Sequence, residues 1–488
     1  ARENLELLLM LYPIIDQRIS EKGIRSAFDD IESPLQSVLS SMECTGIDFR
    51  PSRLLGIQQQ LERKIQALTD EARSITKDST FLLSSPQQVS HYLFDIMRIP
   101  LPKGLSTKQV GGSQHRSTSE EALKAIRAEA KKKGNPLHIV DIILEFRTLN
   151  KMLTTYIRPL PNFARDMSTG KSRSRSRKRS KRQSNDEKSG FVRIHPMWMQ
   201  TAVRTGRLSC RKPNMQQIPT DGVLGVNPRD AFTASPHKCL VTADYCQKEI
   251  RILAHMANDD TLLNMFRSKE EVDIYKQMAS ACCNKPVEKV SDEERRIYKQ
   301  VTLAVLYGMG VPQVAKKLSV SRSTAQNFLN TFFRRFQGVS RWIEATKDFA
   351  RRHQFVTTIS GRRRYLDDIC SGDKGKRAQA ERQAVNTIIQ GSAADIMKLA
   401  MLKMSARIMD WKKAEGLDSL GSAPRILLQI HDELLFETDA NESDVKRLRD
   451  AIMRCCADEC VREFDLKVQL TMTLRIGISW GSMTEMRQ

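Results

Sequence analysis

Along residues 52 to 74, Leu54, Ile57, Leu61, Ile65 and Leu68 recur at steps of three and four, and Ile139, Ile142, Phe146, Leu149 and Leu153 repeat the pattern from 138 to 157. That spacing stacks apolar side chains on one face of a helix, so it predicts two long amphipathic helices. Between them, "HRSTSEEALKAI" places Ser117 three residues ahead of Glu120, the spacing of a capping box, and predicts a third helix. The segment reads as a helical projection, with an ordinary bundle as the alternative. From about 257 to 385 the pattern is again helical, punctuated by "SV" before "SRSTAQNFL" and by "SGRRRY". Strand signals cluster at "KCLVTADYC", "RILLQIHDELLFE" and "LKVQLTMTLRIGISW". The predicted class is α+β, with the strands in one sheet and helices in attached lobes.

Composition adds a direction. At 488 residues and 40% hydrophobic content the chain can form two to four subdomains around a large core. Its net charge of +22 points to a polyanionic partner, with nucleic acid as first candidate and a solvated basic surface as the bland alternative. Eight of the twelve residues in "KSRSRSRKRSKR", 171 to 182, are Lys or Arg and the rest Ser. Such a run cannot bury a core and is expected to be disordered. A nuclear-import signal, a nucleic-acid tether, a phosphorylation-tunable arm and a tolerated loop insertion are all compatible with it. Without it the remainder still carries +14. The ten cysteines include no CxxC and no Cys/His set at zinc spacing, which argues for reduced thiols rather than disulfides or a metal knuckle. "LLLMLYPII", residues 7 to 15, is about half the roughly 20 residues of a membrane span and reads as a core element. The chain opens on Ala rather than Met, as a fragment would.

The chemistry concentrates where polar residues interrupt apolar strands. Asp244 stands where "KCLVTADYCQKEIRILAHM" passes from strand to helix pattern, and His431, Asp432 and Glu433 occupy the middle of "LLQIHDELLFE", the expected turn of a β-hairpin. An Asp in a hairpin turn is by itself ordinary turn chemistry. If adjacent strands bring Asp244 and Asp432 together, however, their mutual repulsion calls for divalent cations, and all-oxygen ligation favours Mg²⁺. Two such ions roughly 3.5 to 4 Å apart suit in-line displacement at phosphorus. In "RRIYKQVTLAVLYGMG", Arg295, Lys299, Leu303 and Tyr307 recur every four residues on one helical stripe. A triphosphate would fit the cationic end and a base the aromatic end; a solvated cationic face beside a core tyrosine is the plain alternative.

Together these segments resemble the A-family DNA polymerases. "TGRLSCRKPNMQQIP" (205 to 219) is similar to that family's TGRLSS-x-x-PNLQNIP segment, "DYCQKEIR" (244 to 251) to its motif A, "RRIYKQVTLAVLYG" (295 to 308) to its motif B and "QIHDE" (429 to 433) to its motif C. "GRRRYL" (361 to 366), "ERQAVNTIIQGSAADIMKLAM" (381 to 401), "RSTSEEAL" and "TTYIRPLP" extend the likeness over nearly the whole chain. "AERQAVN", "QGSAAD", "QIHDELLFE" and Ala304 resemble the eukaryotic theta and nu branch, Ala304 leaning toward nu.

The resemblance implies a right-hand fold with an antiparallel-sheet palm and helical thumb and fingers. Residues 1–30 would be the remnant of an exonuclease-like domain, 31–51 the palm's start, 52–165 the thumb and 166–190 the disordered basic insertion. Palm with motif A (191–256), fingers (257–385) and palm with motif C (386–488) would follow. It implies Asp244 and Asp432 as metal ligands with the Tyr245 carbonyl, Glu433 beside them, and two Mg²⁺ ions, with Mn²⁺ as a substitute. Arg295 and Lys299 would hold the triphosphate, Lys299 also protonating the leaving group, and Tyr307 would position the nascent pair. Glu249 matches the steric gate against a ribose 2′-hydroxyl. Arg207, Arg382, Asn386, Gln390 and His431 match contacts to the primer–template minor groove, where acceptors common to all base pairs test shape without reading sequence.

Leu303 replaces an aromatic residue of the family pattern, Lys248 an aliphatic one beside the gate, Cys246 a Ser and Gln217 an Asn. Leu303 and Lys248 therefore predict relaxed nucleotide selection, with drift compensated by neighbouring residues as the alternative. The expected partners are primer–template DNA and deoxynucleoside triphosphates, acting on a monomer without membrane contact, with a helicase domain or repair partners outside this chain. Repair or translesion synthesis without proofreading, in the nucleus or alternatively the mitochondrion, is the expected role. A fold-retaining but inactive nucleic-acid scaffold, a single-subunit RNA polymerase and a basic RNA-processing factor are the competing readings.

Overall fold

A computed structural model describes residues 2–100, 108–110, 113–166, 192–220, 222, 225, 227–267, 273–414 and 423–486. The basic run at 171–182, and with it the expectation of disorder there, lies outside those residues. Nine strands form one antiparallel sheet: β1 (Ile47–Phe49), β2 (Ala164–Asp166), β3 (Val192–Ile194), β4 (Phe232–Thr233), β5 (Lys238–Tyr245), β6 (Arg425–Ile430), β7 (Glu433–Asp439), β8 (Met472–Ser479) and β9 (Ser482–Glu485). Their spatial order is β6-β7-β5-β8-β4-β1-β3-β2, with β9 on β8. Strand β5 is buried at every position from Cys239 to Ala243, on both faces, as its unbroken apolar run requires of a central strand. Its two neighbours come from the far end of the chain, so the sheet closes only when residues some two hundred apart meet.

Helices surround this sheet. The two amphipathic patterns fold as α2 (Pro51–Thr76) and α4 (His138–Lys151), which pack on each other with Leu54, Leu61, Leu68, Ile139, Ile142 and Leu149 buried, and α3 (Glu120–Lys132) packs on α4. Helix α5 (Lys248–Ala257) follows β5 directly; α6 (Ile274–Cys283) and α7 (Asp292–Leu306) pack together farther along. The 41-residue α8 (Lys374–Ala414) is buried continuously from Gly391 to Met401 and packs against α5. Gly391 admits Thr358 from another direction, since a Cβ there would fall 2.4 Å from its methyl group. No described helix is long and apolar enough to cross a membrane. All ten cysteines are free.

Two expectations need correction. The run at 7–15 is not core: it lies in α1 (Arg2–Glu21), where Leu7, Leu9, Met10, Tyr12, Ile14 and Ile15 are exposed. Local hydrophobicity signals only that a segment gains by burial; burial also needs an opposing surface, and none of the described residues supplies one there. The cap of α3 is Ser119 rather than Ser117. The Ser119 hydroxyl accepts from the Ala122 N–H at 3.3 Å, which puts Glu120 at the first helical position instead of the third. Arg147 holds Thr118 from α4, and Ser117 turns back to accept from the Ser119 N–H at 3.4 Å.

An ionic cluster joins three strands behind the central ones. Arg193 on β3 sits opposite Asp48 on β1, 3.0 Å from its carboxylate, and donates to the Gly46 carbonyl at 3.0 Å. It lies 3.9 Å from Glu437 on β7, which accepts from the Ser235 N–H and hydroxyl at 2.9 Å each. All three charged residues are buried, and burial pushes the Asp48 carboxyl up against the pull of Arg193. Replacing one partner of such a cluster strands the others. Arg193→Met is therefore expected to cost about 3–5 kcal/mol of unfolding free energy by urea titration; a loss under about 1 kcal/mol would show that water or protons satisfy the carboxylates instead.

Candidate active site

The end of β5 and the turn between β6 and β7 form one edge. Glu433 is paired with Asp244 across β7 and β5, and Asp244 with Thr473 across β5 and β8, so these three share a row on one face of the sheet. The turn is only His431 and Asp432, with His431 in the left-handed region at φ 53° and its carbonyl held by the Gln429 side chain. The Tyr245 N–H donates to the Asp432 carbonyl at 3.1 Å, fixing the turn beside Asp244. The Tyr245 hydroxyl is anchored to the Cys456 carbonyl at 2.7 Å. The two aspartates predicted to converge are thus brought together.

Beyond β5 the chain reverses through Cys246 and Gln247, the latter at φ 49°, and enters α5 with Lys248 and Glu249 in its first turn. Lys248 is buried, with Nζ 3.0 Å from the Asp432 carboxylate and 4.6 Å from the centre of the Tyr245 ring. Glu249 accepts from Arg207 at 2.6 Å and from the Tyr307 hydroxyl at 3.2 Å. Confinement, and after it the negative charge of Asp432, raises the Asp244 carboxyl above its ordinary range, although Asp244 keeps an open side to the cleft. Burial works the same way on Asp432, but the charge and hydrogen bond of Lys248, helped by Arg207 and His431, outweigh it and hold that carboxyl low. Burial lifts Glu433, whose carboxylate accepts from the Trp480 indole at 3.3 Å, and lifts Glu249 against Arg207. Burial and then the Glu249 charge push the Tyr307 hydroxyl up to about 12.

Helix α7 begins with a capping box, Ser291 with Glu294, and carries Arg295, Lys299 and Leu303 along one stripe to Tyr307 at its C-cap. Its far end is connected to the carboxylates through the Tyr307–Glu249 bond. Arg295 is engaged by Asp273 at 2.7 Å, and Lys299 lies 5.5 Å from the Tyr275 ring centre. On α8, Arg382, Asn386 and Gln390 repeat every four residues and so share a face. Gly308, at φ 62°, lets the end of α7 pass Arg382; a Cβ there would lie 3.0 Å from its side chain. The Asn386 side-chain oxygen is buried without a partner, and His431 is exposed.

Residues 52–482 match the model of DNA polymerase family A. The chain belongs to this family. It is similar to the thermostable DNA polymerase I of Thermus aquaticus, 35% identical over 465 residues covering 95% of this chain and 49% of that protein. DNA polymerase I of Deinococcus radiodurans is 33% identical over 475 residues, covering 97% and 43%. The chain therefore spans about half the length of these relatives. In structure it is similar to the POL domain of Pol1 from M. smegmatis, solved in complex with DNA primer–template and dNTP, with a TM-score of 0.79, 31% identity, and 97% of this chain and 74% of that one covered. The right-hand polymerase fold expected from the motifs is the fold observed.

A-family DNA polymerases use divalent metal ions, and the donor set of this member fits hard cations. Asp244 and Asp432 meet at one edge of the sheet; burial first, and then the Asp432 charge, raises the Asp244 carboxyl, and a cation at the site would relieve the second of these. Among the described residues no three His, Cys, Asp or Glu side chains form a metal cluster. Ions here would complete their shells with oxygens such as the Tyr245 carbonyl, phosphate and water.

Sequence reasoning missed several supports. Asp273 caps α6 through the Tyr275 and Lys276 N–H groups while pairing with Arg295; an Asp just ahead of a helix was its only signal. Arg362 donates to the Thr205 carbonyl at 3.0 Å, the Gly391 carbonyl at 3.1 Å and the buried Asp395 at 2.6 Å. It thereby holds the turn from which Arg207 reaches Glu249. Gly206 at φ 82° is required there, since a Cβ would fall 2.0 Å from the Arg362 guanidinium. Gly206→Ala should cost more stability than Gly134→Ala, whose φ of 71° is similarly strained but whose Cβ would meet nothing within 4 Å. Thermal melts compare the two; equal losses would mean Arg362 swings aside freely.

Proposed function

We propose that this chain is a DNA-directed DNA polymerase that extends a primer 3′-hydroxyl with deoxynucleotides on a template strand. The observation that carries the reading is the meeting of Asp244 and Asp432 at one sheet edge, joined through Glu249 and Tyr307 to the stripe of Arg295 and Lys299. Two Mg²⁺ ions, with Mn²⁺ as substitute, would lower the pKa of the attacking hydroxyl and neutralise charge on the leaving pyrophosphate. Asp244, Asp432 and the Tyr245 carbonyl would hold them, with Glu433 kept beside the site by Trp480. Arg295 would exchange Asp273 for triphosphate oxygens, and Lys299 would give a proton to the pyrophosphate oxygen as the bond breaks. Glu249, held between Arg207 and Tyr307, has little freedom to move from a ribose 2′-hydroxyl and so would favour deoxynucleotides.

Arg207, Arg382, Asn386, Gln390 and His431 would line the minor groove of the bound duplex, the +22 charge supplying the sequence-independent attraction. In the hand analogy the sheet is the palm, α2 to α4 belong to the thumb, and α6 and α7 to the fingers. The finer reading is a theta- or nu-like polymerase of repair or translesion synthesis, a nuclear monomer without proofreading. It is supported by "AERQAVN", "QGSAAD", Ala304 and the basic run at 171–182. Lys248 and Leu303 would relax nucleotide selection, Leu303 by withdrawing a ring from the pocket and Lys248 by acting on Asp432, the carboxylate it meets.

Primer extension with Mg²⁺ tests the activity. The chain should extend a primer, and Asp244→Asn or Asp432→Asn should slow it by roughly a thousandfold or more; full-speed extension by either variant would refute the assignment. No extension despite duplex binding would favour the inactive scaffold, and equal use of ribonucleotides the RNA polymerase. Misincorporation should fall in Lys248→Ile and Leu303→Phe, and error rates equal to the parent in both would remove the low-fidelity reading.

A further inference from the structure

The buried ammonium of Lys248 is unusual on three counts. It stands in the first turn of α5, where the helix dipole disfavours a cation, so helix stability is no reason for its presence. Its side chain is 1% exposed, which excludes the water that would ordinarily solvate it. Its ion partner is Asp432, at 3.0 Å, a carboxylate the functional reading assigns to metal ions. Charge is then unevenly distributed across the site. Glu249 is matched by Arg207 at 2.6 Å and Asp432 by Lys248, while among the described residues Asp244 has no ion pair within 4.0 Å.

We propose that Lys248 is a resident counter-cation and positioning residue for Asp432, so that divalent ions entering the site must share or displace its ammonium. This rests on the polymerase reading of Asp244 and Asp432. The turn at His431 and Asp432 is thereby held in shape before any ion arrives, by an ion pair from below and the Tyr245 N–H from the side. The consequence is a site assembled without metal but with weakened metal affinity, because each ion gains less from a carboxylate whose charge is already matched. Asp244 is the side from which a cation is drawn in.

Binding of Mn²⁺ to the full chain, followed by electron paramagnetic resonance without nucleotide, tests this apart from activity. Lys248→Met, which keeps the stem and removes the charge, should bind Mn²⁺ at least about tenfold more tightly than the parent, a difference of about 1.4 kcal/mol. Lys248→Ile should behave alike, guarding against a variant that folds poorly. Unchanged affinity in variants that melt normally would overturn the proposal. A double-mutant cycle in urea gives the second readout: Asp432→Asn should destabilise the parent by stranding Lys248, yet be close to neutral beside Lys248→Met. Additive effects would overturn the ion pair's role. Mn²⁺ binding insensitive to Asp244→Asn in every background would defeat the two-aspartate reading itself, and this inference with it; Asp244-dependent binding that ignores Lys248 would defeat the inference alone.

Discussion

The register of β7 on β5 is the constraint on which the remaining geometry depends. Side chains alternate faces along a strand, so a slip of one residue would carry Asp244 away from Glu433 and turn it off the cleft. The two-residue turn at His431 and Asp432, bonded to the Tyr245 N–H, opposes that slip and leaves no slack at the end where the chemistry lies. Backbone hydrogen bonds thus bring the residues together, and the contacts of Asp432 with Lys248 and of Glu433 with Trp480 then orient their carboxylates. That suits a site whose charged groups repel one another.

Around that edge, charge is handled by pairing rather than by exposure. Arg193 holds Asp48 and Glu437 behind the sheet, Arg362 holds Asp395 and the Thr205–Gly206 turn, and Lys398 reaches Glu32 at 2.6 Å from within α8. Each joins segments far apart in the chain, and each would leave a buried charge unmatched if broken. The same logic reaches the candidate active site, where Arg207 meets Glu249 and Lys248 meets Asp432. A small family of cations therefore fixes both the scaffold and the acidic groups that face the cleft. Asp244, with its carboxyl pushed up and its open side to the cleft, is the exception.

The stripe on α7 is partnered at both ends. Arg295 is engaged by Asp273 and Lys299 sits near Tyr275, so both cations have partners before any phosphate arrives. Tyr307, at the other end, is already bonded to Glu249. Ligand binding at the cationic end would exchange one set of ionic partners for another, which keeps the side chains ordered without leaving them bare.

What the sequence determined alone is what depends on local spacing and chemistry. The 3.6-residue apolar period gave α2 and α4, the unbroken run before Asp244 gave a central strand, and the motifs around Asp244, Arg295 and Asp432 gave the family. Burial at 7–15 and the capping residue of α3 were misread, because the first needs an opposing surface and the second depended on where α4 pinned Thr118. Only the tertiary structure decided that Lys248 points at Asp432 rather than at open solvent, that Asp273 holds Arg295, and that Arg362 and Gly206 set the position of Arg207. Those pairings join residues up to 184 positions apart. No periodicity records them, since the partner of a buried charge is chosen by which strands and helices meet.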